Sequence, residues 1–196
     1  MKLWLIIPVK PLGEGKSRLA DTLTPQQRAE LMRGLLQHVL EQANAAAILY
    51  EIVVISRDPQ VWAIAHLAGA GVIHEQGQAL NQALEQARQQ AVTHGADAIL
   101  ILPADLPLLI SEDIHQLALY AAHQPCVVIA PSQDGGTSAL VLYPPAVIPF
   151  AFGPDSFARH RQAAQQAGVP CRIFASPTLA FDVDRRADWQ RLQLGR

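Results

Sequence analysis

Three basic side chains share one short loop near the start of the chain. Lys10, Lys16 and Arg18 follow the apolar stretch 3–7 closely, in a segment that also carries two glycines. An apolar run of this length predicts a buried strand, and open α/β sheets bind ligands beyond the carboxyl ends of their strands. The loop therefore predicts a phosphate site, although exposed glycine and lysine are also ordinary residues of a surface turn.

The loop differs from a Walker A motif, whose pattern is Gly-x-x-x-x-Gly-Lys-Ser/Thr. Residues 15–17 fit the end of that pattern, but Lys10 stands where its first glycine belongs. A Walker loop binds phosphate through consecutive backbone N–H groups, and Pro8 and Pro11 have none. We therefore expect side-chain cations to hold the phosphates here.

Three aspartates offer ligands for a divalent cation. Asp105 follows the apolar run 98–102 and stands between two prolines, whereas Asp182 and Asp184 lie two residues apart in an extended stretch and so point to the same side. Mg²⁺ takes one or two carboxylates plus nucleotide phosphate oxygens. Asp105 with either of the other two would be sufficient. The structural alternatives are a turn aspartate and a solvated acidic turn.

Two later loops carry groups that can hold a small anion. Thr137 and Ser138 provide hydroxyls directly after two glycines, although a Gly-rich hairpin explains the same residues. Gly153 and Ser156 stand at the start of a predicted helix, whose N-terminal N–H groups favour phosphate. These four residues are the candidates for binding a second, anionic substrate.

Gly77 and Asn81 mark another helix start. The asparagine can present its amide to a base or a ribose, and we include both residues as candidates for nucleotide binding. Ordinary helix entry explains them equally well.

These groups can meet only if the strand ends share one edge of a sheet. Short apolar runs alternate with longer stretches of helical period, which predicts a single-domain, three-layer α/β/α Rossmann-like fold with a mostly parallel sheet. The predicted strands are 3–8, 51–55, 72–73, 98–102, 126–130, 138–143 and 171–174. The predicted helices are 24–44, 59–69, 78–94, 111–124 and 155–167, with a terminal helix near Asp188.

One connection predicts a departure from the parallel pattern. Only seven residues, 131–137, separate two of the predicted strands. A parallel crossover needs a dozen or more. The sheet should therefore contain at least one antiparallel strand.

Composition limits the class of protein. The chain has 196 residues, of which 50% are hydrophobic and 16% charged, and these values fit one domain spanning 1–196. A formal net charge of −2 gives no general reason to bind nucleic acid or an anionic membrane. The apolar runs fall short of the roughly 20 residues of a membrane helix, and we expect a cytoplasmic protein. Cys126 and Cys171 are predicted to be buried free thiols.

The chain resembles the nucleotidyltransferases that include molybdenum-cofactor guanylyltransferase. Within them it resembles the guanylyltransferases that activate 2-phospho-L-lactate or phosphoenolpyruvate for the deazaflavin coenzyme F-420. The resemblance covers nearly the whole chain through motifs in a specific order. These motifs are Pro8-Val9-Lys10, Lys16-Ser17-Arg18-Leu19, Leu80-Asn81, 103–107, 136–140, 152–157 and Asp182-Val183-Asp184.

The resemblance implies a set of residue roles. Pro8, Lys10, Lys16 and Arg18 would contact GTP, the co-substrate, together with Gly77, Asn81 and Asp105. Asp105, Asp182 and Asp184 would hold Mg²⁺. Thr137, Gly153 and Ser156 would contact the phosphorylated three-carbon acid, and Ser138 stands where that branch more often has asparagine.

The implied reaction transfers GMP from GTP to the phosphate of the acid and releases pyrophosphate. Lys10, Lys16, Arg18 and Asp105 would be the catalytic residues, acting by position and charge because a phosphate monoester needs no general base. A P-loop-like kinase and a non-catalytic nucleotide-binding regulator are the alternatives. The sequence leaves open which acid is the acceptor, and we allow for a homodimer.

Overall fold

A seven-stranded mixed sheet forms the centre of the protein. The computed structural model describes residues 1–77, 79–122 and 124–194. Its strands are β1 (Leu3–Pro8), β2 (Glu51–Ser56), β3 (Gly71–His74), β4 (Ala98–Ile101), β5 (Cys126–Pro131), β6 (Thr137–Tyr143) and β7 (Cys171–Ile173). They lie in the order β3-β2-β1-β4-β6-β5-β7.

Strand β6 runs against its neighbours, as the short connection predicted. It pairs antiparallel with both β4 and β5, and the other neighbouring pairs are parallel. Because Leu140 pairs with Ile101 at the end of β4, the start of β6 extends past that end. Thr137 and Ser138 therefore lie at the same edge of the sheet as the loop that carries Asp105.

Helices cover both faces of the sheet. They are α1 (Pro25–Ala46), α2 (Pro59–Leu67), α3 (Leu80–Thr93), α4 (Ser111–Ala121), α5 (Ser156–Gln166), α6 (Pro177–Ala180) and α7 (Arg186–Leu194). Helices α1, α2 and α4 bury their apolar sides against one face, whereas α3 and α5 do so against the other. The predicted three-layer α/β/α fold is confirmed. Positions 78 and 123, which the helix predictions 78–94 and 111–124 included, lie outside the described residues.

The helix starts follow local hydrogen bonding. Thr24 caps α1: its Oγ1 accepts from the Gln27 N–H at 3.2 Å, and the Gln27 side chain accepts from the Thr24 N–H at 2.9 Å. Helix α4 begins at Ser111 as its first helical residue, and its cap is Ile110. There the Asp113 carboxylate accepts from the Ile110 N–H at 3.1 Å.

Asp113 also fixes a short helix that the sequence did not predict. The buried carboxylate accepts hydrogen bonds of 2.7 Å from both Ser176 and Thr178, and Ser176 caps α6 through the Leu179 N–H. Because α6 ends at Ala180, this cluster fixes the segment that leads directly to Asp182 and Asp184.

The remaining composition-based predictions concern the thiols and the membrane. Both cysteines are free, Cys126 buried and Cys171 only half-buried. Within the described residues, no helix combines the length and the hydropathy that crossing a bilayer requires.

Candidate active site

The loop after β1 turns sharply toward the interior of the protein. It forms two 3-10 turns, Leu12–Glu14 and Ser17–Leu19, with Gly15 and Lys16 between them. A Cβ at Gly15 would lie 2.8 Å from Met32 Cγ, so a larger residue here would require the Met32 side chain on α1 to move. Lys16 adopts the left-handed conformation, at φ 53° and ψ 40°, which is uncommon outside glycine.

Lys16 places its ammonium group among carboxylates from two distant segments. Its Nζ lies 2.6 Å from Asp105 Oδ2 and 3.7 Å from Asp184 Oδ1, and its side chain is only 4% exposed. Arg18, at the outer side of the loop, forms an ion pair with Asp184. Three segments that the sequence predicted to act together therefore meet here: the basic loop, the turn after β4 and the chain after α6.

Asp182 is the third carboxyl of this acidic group, and its pKa is shifted. Burial, together with the negative charge of Asp105, raises the pKa of its carboxyl to about 6. The Lys16 charge opposes that rise only in part. A cation bound beside these carboxylates would favour the ionised form of Asp182.

The protein carboxylates do not form a complete metal cage by themselves. Among the described residues, no three His, Cys, Asp or Glu side chains converge closely enough to hold a metal ion. Mg²⁺ does not require such a cage, because it binds through one or two carboxylates and takes its other ligands from phosphates and water.

A cavity of about 650 Å³ opens beside this charged group. Its polar wall includes Lys10, Lys16, Arg18, Asp105 and Asp184, and Pro8 also lines it. Lys10 is exposed. The cavity thus brings together the cationic loop, two of the three predicted metal ligands and the end of β1.

The cavity wall also contains three charged residues that the sequence analysis did not single out. Arg57, directly after β2, lies 2.5 Å from a carboxylate oxygen of Glu14 and 3.6 Å from one of Glu75, and all three line the cavity. Burial raises the pKa of Glu75 despite the opposing charge of Arg57. Their position at the ends of β2 and β3 was the available signal, since ligands bind at that edge of the sheet.

Asn81 and Gly77 are placed differently from the other candidates. The Asn81 side chain forms two hydrogen bonds with the backbone of Phe152. Its Nδ2 donates to the Phe152 carbonyl at 3.1 Å, and its Oδ1 accepts from the Phe152 N–H at 2.9 Å. Among the described residues, Leu80 and Ala83 line the cavity, whereas Gly77 and Asn81 do not. The predicted contact of Asn81 and Gly77 with the nucleotide stays a prediction.

The residues predicted to bind the acid form a second group at the same edge. Ser156 Oγ donates to Thr137 Oγ1 at 3.2 Å, and both residues are buried. Ser138 is also buried, whereas Gly153 is exposed at φ 121°, a conformation that favours glycine. The Phe157 N–H bonds the Gly135 carbonyl at 3.4 Å, which joins the β5–β6 turn to the start of α5.

The turn between β5 and β6 connects the two groups electrostatically. The pKa of Asp134 is lowered, mainly by the hydrogen bond from Ser132 and in smaller part by the charge of Arg18. Asp134 in turn contributes to the raised pKa of Asp182. The turn that leads into β6 therefore lies within electrostatic range of the charged cluster.

The sequence matches known guanylyltransferases along nearly its whole length. Residues 3–195 match the family described as "Guanylyl transferase CofC like". The phosphoenolpyruvate guanylyltransferase of Rubrobacter xylanophilus is 43% identical over 194 residues, which cover 98% of this chain and 94% of that protein. The 3-phospho-D-glycerate guanylyltransferase of Colwellia psychrerythraea is 30% identical, with 99% of this chain and 92% of that protein covered.

Solved structures of related architecture agree in fold. A 4-diphosphocytidyl-2C-methyl-D-erythritol synthase superposes with a TM-score of 0.70 at 15% identity, covering 98% of each chain. The glucosyl-3-phosphoglycerate synthase of Mycobacterium tuberculosis, in complex with Mn²⁺, UDP-glucose and phosphoglyceric acid, superposes with a TM-score of 0.65 at 10% identity, covering 97% of this chain and 74% of that one. With this fold and a family match from residue 3 to residue 195, the chain belongs to the CofC-like guanylyl transferase family.

Proposed function

We propose that this guanylyltransferase uses phosphoenolpyruvate as its acceptor, in the biosynthesis of coenzyme F-420. The observation that carries the proposal is the presence of two groups at one edge of the sheet: Lys16 between Asp105 and Asp184 at the cavity, and the hydrogen-bonded hydroxyls of Thr137 and Ser156 at the starts of β6 and α5. The Rubrobacter relative, named for phosphoenolpyruvate, supports this acid over phospholactate and phosphoglycerate.

The reaction joins two anions. An oxygen of the acid's phosphate attacks the α-phosphorus of GTP, the bond from that phosphorus to the bridging oxygen breaks, and pyrophosphate leaves. The attacking oxygen is already anionic near neutral pH, so the protein must mainly position the groups and neutralise charge. Lys10, Lys16 and Arg18 stand on one side of the cavity to do this for the triphosphate.

The acidic cluster fits a divalent cation. Asp105, Asp182 and Asp184 would hold Mg²⁺, which when bound supplies a Lewis acid that screens the repulsion between nucleotide and acid. The raised pKa of Asp182, caused mainly by burial and in smaller part by the charge of Asp105, is consistent with this assignment because a bound cation would favour the ionised carboxylate.

Thr137, Ser138, Gly153 and Ser156 would bind the acid. All these groups come from one chain, so the proposal does not require a homodimer. The proposed substrates are small soluble molecules, which suits a cytoplasmic enzyme. Family membership favours the transferase over the kinase and the regulator. Release of pyrophosphate distinguishes them experimentally, because only the transferase produces it.

A direct assay tests the proposal. The protein is incubated with Mg²⁺, GTP and one acid at a time: phosphoenolpyruvate, 2-phospho-L-lactate or 3-phosphoglycerate, and the products are identified by mass spectrometry. We expect pyrophosphate and a GMP–phosphoenolpyruvate anhydride. Faster turnover of either other acid, or GDP as the nucleotide product, would contradict the assignment.

The hydroxyl pair gives a prediction about substrate selectivity. Thr137→Val should raise KM for the acid roughly tenfold to hundredfold, because one hydrogen bond to a charged oxygen contributes about 1.5–3 kcal/mol. The affinity for GTP should stay close to that of the wild type. Calorimetric titration with each substrate separates the two, and a variant that loses GTP while keeping the acid would place the hydroxyl in the nucleotide site instead.

A further inference from the structure

His160 links the two halves of the proposed acid site from a fully buried position. It lies on α5 one turn after Ser156 and is 0% exposed. Its Nε2 is 3.0 Å from the backbone N–H of Ala151, and its Nδ1 is 3.1 Å from Thr137 Oγ1. The ring packs edge-on against Phe152, with centroids 4.9 Å apart.

These contacts determine which ring nitrogen carries the proton. A backbone N–H can only donate, so Nε2 must accept and therefore has no hydrogen. In a neutral imidazole the hydrogen is then on Nδ1, which donates to Thr137. A doubly protonated ring would lose the bond from Ala151. Burial lowers the pKa of His160 to about 4, with a further contribution from the charge of Arg159, so the ring is neutral near pH 7.

The tautomer in turn determines the role of the Thr137 hydroxyl. Its oxygen accepts one hydrogen bond from His160 Nδ1 and a second from Ser156 Oγ. Both lone pairs are then occupied, and the hydroxyl can interact further only through its own hydrogen. Within the described residues, no acceptor bonds that hydrogen. Thr137 is therefore prepared to donate to an oxygen of a bound anion.

We propose that His160 is a positioning residue for acid recognition: its Nδ1–H form turns Thr137 into a hydrogen-bond donor, while its Nε2 holds the 151–153 segment in place. The second contact acts on the backbone just before Gly153, and Asn81 holds the next peptide unit through Phe152. One imidazole thus contacts both parts of the proposed acid site. The identity of the anion rests on the proposed function, but the tautomer is a property of the free protein.

The tautomer can be measured without substrate. In ¹⁵N-labelled protein, two-bond ¹⁵N–¹H correlation spectra distinguish Nδ1–H from Nε2–H histidines, and His160→Gln identifies the signal. We expect a neutral Nδ1–H ring from about pH 5 to about pH 8, the range in which an ordinary histidine titrates. An Nε2–H ring, or one that becomes charged near pH 6.5, would overturn the proposal whatever the enzyme's substrate.

Kinetics of three variants test the consequence. His160→Phe keeps a ring but loses both hydrogen bonds, and should raise KM for phosphoenolpyruvate roughly tenfold to hundredfold with KM for GTP unchanged. His160→Asn can place an amide N–H where Nδ1–H stands and should recover part of that loss. His94→Phe is the matched control, because His94 bonds a backbone carbonyl of α3 at the opposite edge of the sheet, and it should behave as the wild type.

The outcomes distinguish this proposal from the proposed function. A wild-type enzyme that prefers another phosphorylated acid would contradict the acceptor assignment, and the KM comparison would then be made with that acid. Equal rises in both KM values, an unchanged KM for the acid in His160→Phe, or no recovery in His160→Asn would contradict the role of His160. If His160→Phe does not fold, the ¹⁵N measurement on the wild type and the Asn variant still decide.

Discussion

Replacing Asp105 by asparagine should lower kcat roughly a thousandfold, because the variant loses a charge that anchors the proposed metal ion and several kcal/mol of transition-state stabilisation with it. The fold should survive. The asparagine carbonyl can still accept from Lys16 Nζ, now 2.6 Å from the carboxylate, and Asp184 remains 3.7 Å away as a charged partner. We expect a loss of unfolding free energy of only about 1 kcal/mol.

Three measurements check this prediction: turnover at saturating substrate, dependence of the rate on Mg²⁺, and urea denaturation. Asp97→Asn is the matched control, since the exposed Asp97 carboxylate accepts from the Lys2 N–H at the opposite edge of the sheet and, among the described residues, has no other side-chain hydrogen bond. Normal activity at normal stability in Asp105→Asn would rule out its role as a metal ligand. A large loss of stability would show that its pairing with Lys16 is mainly structural.

Lys16→Ala should also lower activity strongly, but the loss should affect GTP far more than the acid. We expect kcat/KM for GTP to fall roughly a hundredfold to a thousandfold, the usual cost of removing one group that stabilises developing negative charge. The affinity for the acid should change little, because Thr137 and Ser156 are held by other contacts. Steady-state kinetics with each substrate varied in turn gives both values.

The other two lysines of the chain provide comparisons. Lys10→Ala removes an exposed cation from the same loop and should cost less than Lys16→Ala. Lys2→Ala lies outside the site and should have no effect. Equal losses toward GTP and the acid in Lys16→Ala would indicate collapse of the loop, whose left-handed residue is Lys16 itself.

The architecture was accessible from the sequence because each element carries a local signal. Apolar runs of strand length alternate with amphipathic stretches, and most residues of the two larger hydrophobic clusters come from those segments. The antiparallel strand followed from the length of a single connection. Because strand ends meet at one edge, the basic loop and Asp105 could be placed near each other, and family membership bears out the enzyme class.

Contacts that depend on three-dimensional packing could not be read in this way. Arg57 and Glu75 are single charges without a motif, and they meet only because β2 and β3 are neighbours. His160 resembles any other histidine of an amphipathic helix until its two partners, the Ala151 N–H and the Thr137 hydroxyl, are known. The same holds for α6, whose four residues are stabilised by Asp113 from a distant helix.

The double hydrogen bond between Asn81 and Phe152 connects the proposed nucleotide site with the proposed acid site. Helix α3 lines the cavity proposed to bind the nucleotide through Leu80 and Ala83, and Asn81, between them in sequence, hydrogen-bonds the segment that leads to Gly153. A shift of α3 on nucleotide binding at the proposed site would therefore act on the proposed acid site. Thermodynamic reciprocity then requires each substrate to change the affinity of the other by one common factor. In Asn81→Ala we expect that factor to fall toward unity.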